Sequence, residues 1–69
     1  MEKNMNCPMG YNNPFQLDGK HAPLAICGGH PDGGGGILFW AYSIQEANEA
    51  FDAYRAAGYL RVTIEAAGW

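Results

Sequence analysis

The chain reads as an α+β fold: a compact β-β-α-β unit with a three-stranded, mainly antiparallel sheet and one helix packed on one face, preceded by an irregular N-terminal arm. Three observations carry this expectation. Two apolar runs flank a Pro-Asp-Gly turn at residues 31–33, a capping pattern opens an amphipathic stretch at Ser43, and Tyr59 to Glu65 alternates apolar with polar residues. The order strand, strand, helix, strand follows.

Residues 1–20 form the expected arm. Asn4, Asn6, Asn12, Asn13, Pro8 and Pro14 interrupt scattered apolar groups (Met5, Met9, Tyr11, Phe15, Leu17) with no period. Those apolar groups are too many for a free linker, so part of the arm should dock. The folded domain spans 21–69. Leu24 to Cys27 suits a first strand running into Gly28-Gly29-His30. At Pro31-Asp32-Gly33 the proline sets φ for the first corner, the aspartate bonds its own backbone and the glycine accepts a left-handed conformation. Ile37 to Tyr42 then returns as an aromatic and β-branched strand.

Ser43 stands three residues before Glu46, the spacing of a capping box. Behind it Ile44, Ala47, Ala50, Phe51 and Tyr54 fall on one helical face, opposite Gln45, Glu46, Asn48, Glu49, Asp52 and Arg55. Ala57-Gly58 supplies the stop. The third strand runs antiparallel to the first, so sheet order 2-1-3 is fully antiparallel, whereas 1-2-3 pairs the last two strands in parallel. Antiparallel pairs are the commoner kind, which favours 2-1-3.

Simple alternation gives the helix a sheet face of Leu24, Ile26, Ile37, Phe39, Ala41, Leu60, Val62 and Ile64. The other face carries Ala25, Cys27, Leu38, Trp40, Tyr42, Tyr59, Arg61 and Thr63. So large an aromatic patch needs a cover, because monomers seldom expose one. Three covers fit: the arm through Tyr11, Phe15 and Leu17, a second copy of the chain as a homodimer, or a foreign protein that uses Trp40, Tyr42 and Arg61 as anchors. The need is general at 69 residues, a length at which one core seldom suffices.

Composition narrows the partners. Four Lys and Arg are dispersed against seven Asp and Glu, for a net charge of −3. Direct nucleic-acid binding is disfavoured, since it needs clustered cations, and Arg61 alone cannot serve an aromatic base-stacking face. A larger protein with a basic surface fits better. Charge complementarity would bring it to the carboxylates Glu46, Glu49 and Asp52 on the outer helix face. No secretory leader or membrane span is recognisable, so the expected setting is cytoplasmic. Cys7 and Cys27 could form one bridge, although a reducing compartment would keep both as thiols.

Few residues suggest chemistry. Cys7, His21, Cys27 and His30 number four soft ligands, but their spacing matches no standard zinc module, and no metal or other cofactor is expected. His30 with Asp32, or Cys27 with His30, lacks an orienting group and an oxyanion device, so a non-catalytic role is expected. Gly28 to Gly36 has the glycine content of an anion-cradling loop without the lysine or the following helix of a nucleotide loop. It gives an alternative site at Gly29, His30, Gly34 and Gly35 for a small or nucleotide-like ligand, on a chain that could be oligomeric.

A small acidic chain with a hairpin, Ser43-Ile44-Gln45-Glu46-Ala47 opening a helix and Ala57-Gly58-Tyr59-Leu60-Arg61-Val62-Thr63-Ile64 as a last strand resembles the small anti-defence inhibitors of phages and mobile elements, the anti-CRISPR proteins among them. The resemblance is one of size and architecture over about residues 21–66, with no motif matched. It implies a binding protein that blocks a surface of a larger protein, such as a nucleic-acid-processing or defence complex, and it assigns no residues.

Overall fold

The structure is a computed structural model that describes residues 9, 10, 12–16 and 18–69. Strands β1 (Leu24–Gly29) and β2 (Gly35–Ala41) form the hairpin, α1 (Ile44–Ala56) follows, and β3 (Leu60–Ala66) closes the order β-β-α-β. The sheet order is β2-β1-β3, with both pairings antiparallel, as the pairing argument predicts. The turn closes through the Gly33 amide donating to the His30 carbonyl at 3.1 Å and the His30 amide donating to Gly34 at 2.9 Å.

The helix is bounded at both ends as its sequence requires. Ser43 accepts the Glu46 amide on its side-chain oxygen at 3.0 Å, and the Glu46 carboxylate reaches back to the Tyr42 amide at 2.7 Å. One orphan donor of the first turn is thereby satisfied, and the Glu46 carboxylate fixes the residue before the cap instead of the Ser43 amide that a strict capping box engages. At the other end Gly58, at φ 95, lets its own amide reach Arg55 and that of Tyr59 reach Tyr54, both at 3.1 Å. This is the Schellman pattern, in which a left-handed residue turns two amides onto the last free carbonyls.

The core joins Ile26, Phe39 and Ala41 of the sheet to Ala47, Ala50 and Tyr54 of the helix and to Tyr59. Small alanines on the inner helix face leave room for the two tyrosine rings. Ile44 departs from the expected face and is 72% exposed. At 100° per residue it lies nearly a right angle away from the stripe of Ala47, Ala50 and Tyr54. Phe51, nearer that stripe, is half-buried.

Two bulges correct the face assignment made from alternation. Ile26 pairs with Phe39 but Cys27 with Ile37, so Leu38 is an extra residue in β2. Ile37 therefore moves to the outer face, where it is 53% exposed, and Leu38 packs against the core. In β3, Cys27 pairs with Thr63 and Gly29 with Leu60, one residue more than on β1, and Arg61 adopts φ 51 within that stretch. Tyr59 is thereby core and Leu60 is 54% exposed, the reverse of the expected pair. A single inserted residue inverts the inside and outside of everything beyond it.

Candidate functional site

The outer sheet face divides into a covered end and an open one. At the covered end the Asn12 side chain brackets Trp40: its Oδ1 accepts the Trp40 amide at 3.0 Å, and its Nδ2 donates to the Trp40 carbonyl. An amide side chain thus stands in for a neighbouring strand along the outer edge of β2. The Tyr42 hydroxyl donates to the Asn13 carbonyl and accepts the Gln16 amide at 2.8 Å. Rings continue the cover from Phe15 to His21 at 4.5 Å, His21 to Trp69 at 4.1 Å and Trp69 to Trp40 at 5.6 Å. The Trp69 indole donates to the Ala22 carbonyl.

Of the three sequence-expected anchors, Trp40 and Tyr42 are therefore engaged by the chain's own residues, and Arg61 is not among them. Phe15 contributes as the arm reading expects, whereas Tyr11, Leu17 and Cys7 lie outside the described residues. The parts played by Asn12 and Trp69 were not anticipated. Asn12 offers no periodic signal, and Trp69 follows the last expected strand.

The open end lies at the glycine-rich hairpin, where Cys27, five glycines (Gly28, Gly29, Gly34, Gly35 and Gly36) and Arg61 line a groove of about 380 Å³. Its floor is bare main chain, because glycine after glycine contributes no side chain. The floor is also closely built: a Cβ on Gly35 would stand 2.7 Å from the Gly28 carbonyl oxygen. Only glycine fits there without a shift of the hairpin. Among the described residues Arg61 is the one charged lining residue, on the outer face it was expected to share with Cys27. Its φ of 51 puts a bulky residue in a conformation that glycine normally occupies, and such outliers concentrate at functional sites.

Cys27 is a free thiol on the groove wall. Burial pushes its pKa above the ordinary value, and the negative charge of Glu65 adds to the effect. Both effects disfavour the thiolate, which is the nucleophilic form. The chain matches no protein-family model, no curated protein and no solved structure.

The remaining expected residues separate cleanly. Gly29, Gly34 and Gly35 of the alternative ligand set line the groove, but His30 turns its ring to Tyr59, with centroids 5.2 Å apart. His21 is stacked on Trp69, and among the described residues no group of three or more His, Cys, Asp or Glu is placed to hold a metal. On the helix, Glu46 is half-buried and bonded to Tyr42, and Glu49 accepts the Gln45 side chain at 3.3 Å. Glu49 and Asp52 remain exposed, and no helix among the described residues is long and apolar enough to cross a membrane.

Proposed function

We propose that the protein is a non-catalytic binding domain whose glycine-floored groove takes a small ligand bearing an oxyanion, carboxylate or phosphate, against Arg61. The observation that carries this reading is the joint lining of one groove by three of the four expected ligand-binding glycine-loop residues and by Arg61. The volume falls within the range typical of small-molecule sites. A guanidinium offers a planar fork of donors that matches a carboxylate or phosphate edge, while bare main chain accepts a flat ligand body. With a single cation in the lining among the described residues and a net charge of −3, the site suits one anionic group better than a polyanion. The proposal includes a cytoplasmic setting, in keeping with the free Cys27 thiol.

Thermal unfolding against inorganic phosphate, nucleotides and dicarboxylates tests the reading. A ligand at 100 times its Kd should add about 2.7 kcal/mol of stability. Arg61→Ala should abolish that gain, and Arg61→Lys should recover only part of it, because lysine keeps the charge without the fork. An unchanged transition with every member of the panel would reject the site.

A second reading, favoured by the exposure of Ile44, Glu49 and Asp52 on the one helix, is an inhibitor that blocks a basic surface of a larger protein, as in the anti-CRISPR-like resemblance. Ile44 would supply the apolar anchor and the carboxylates the orientation. Ile44→Ala and Glu49→Lys/Asp52→Lys should each abolish capture of that partner, whereas Arg61→Ala should not. Capture that survives both helix variants would end this reading.

A further inference from the structure

The two outer edges of the sheet are treated differently. Along β2, Asn12 occupies the amide and carbonyl of Trp40, so that edge is blocked to another strand at this residue. Among the described residues no strand lies beyond β3, whose seven residues are exposed except for half-buried Val62. An uncovered edge of this kind is a template for strand addition.

The direction of its free groups follows from the ladder. Ala67 donates to the Pro23 carbonyl at 3.0 Å, in step with the pairing of Ala25 with Glu65 and Cys27 with Thr63. Backbone groups alternate sides along a strand, so those of Thr63 and Glu65 turn inward and those of Ile64 turn out. Val62, two residues earlier, precedes Ile64 on the outward side.

We propose that the protein forms a homodimer in which the β3 edges of two copies pair antiparallel about Thr63. In this register Val62 of each copy lies opposite Ile64 of the other as a hydrogen-bonded pair, and Thr63 faces its own copy. Arg61, the bulged residue at the start of this edge, comes level with Glu65 of the other copy and spans to it with its long side chain, twice by symmetry. Neither Arg61 nor Glu65 has an ion-pair partner among the described residues, and both are exposed. A strand that carries unpaired opposite charges two residues on either side of its centre is self-complementary in the antiparallel sense only. The pairing also covers Ile64, which is 38% exposed on the isolated sheet, and joins the two helix-side cores along one continuous sheet. A guanidinium has five donors, so Arg61 can hold a carboxylate on one edge and a groove ligand on another.

Sedimentation equilibrium from micromolar to millimolar concentration reads the dimer directly, and charge reversal identifies its register. Glu65→Arg and Arg61→Glu each place two like-charge pairs in their own homodimer and should each weaken it by roughly tenfold. Mixed together, the two variants restore both attractive pairs, so a heterodimer should form at least as readily as the parental dimer. Circular dichroism of each variant checks the fold, and the concentration dependence of the unaltered protein is decisive by itself. A parental protein that stays monomeric at millimolar concentration overturns the proposal, as does a dimer indifferent to both reversals or a mixture without heterodimer. Glu65 does not line the groove, so Glu65→Arg breaks the dimer while ligand binding persists, and the two readings fail separately.

Discussion

Tyr59 donates its amide to the Tyr54 carbonyl at 3.1 Å and meets the Tyr54 ring edge-on, with centroids 4.9 Å apart at 87°. The backbone bond closes the helix, and the ring contact is the apolar clasp that accompanies such a stop. Tyr54 in turn donates its hydroxyl to the carbonyl of Leu38, the extra residue of β2, at 3.2 Å. One pair of rings therefore links the helix end, the start of β3 and the bulge across the core.

Because this arrangement depends on Gly58 at φ 95, Gly58→Ala should destabilise the protein by about 1–2 kcal/mol. A urea titration should show a lower midpoint with an unchanged slope, since the folded surface stays the same. A substitution without loss of stability would mean that the stop does not require the left-handed residue.

Asn12→Ala should cost about 1–2 kcal/mol through two lost hydrogen bonds to Trp40. Asn12→Asp should fare no better, because a carboxylate would face the Trp40 carbonyl. The specific readout is hydrogen exchange at the Trp40 amide, which should accelerate in both variants. With the β2 edge uncovered, aggregation should also rise.

Arg61→Gly should raise stability by about 1 kcal/mol, since glycine adopts the φ of 51 without a Cβ penalty. The same change should remove the oxyanion-dependent thermal gain. Opposite signs in the two measurements are the signature of strain kept for binding. Loss of stability on substitution would show that Arg61 acts chiefly in packing.

The raised pKa of Cys27, caused by burial and then by Glu65, has a defined consequence for pH dependence. The folded state holds the thiol proton more tightly than the unfolded chain. The associated stability is complete below the unfolded thiol pKa and is lost as pH rises through the higher folded value. Stability should therefore fall in alkaline solution, and Cys27→Ala should flatten the decline. Iodoacetamide should modify Cys27 more slowly than a free thiol at mildly alkaline pH, and Glu65→Gln should speed the reaction. Equal rates in all three would contradict the burial argument.

Local chemistry in the sequence determined much of this protein. The Pro31-Asp32-Gly33 turn, the Ser43 cap and the Gly58 stop depend on residues a few positions apart, and each is readable from one segment, whereas chain direction favoured the 2-1-3 order over 1-2-3 and the tertiary structure decided it. Tertiary structure decided which neighbour faces inward. Alternation has a period of two, so one extra residue at Leu38 or near Arg61 exchanges Ile37 with Leu38 and Tyr59 with Leu60, and no single strand records the insertion, which exists only in the register between two. The cover over Trp40 and the meeting of Arg61 with the glycine floor are likewise contacts between segments distant in the sequence.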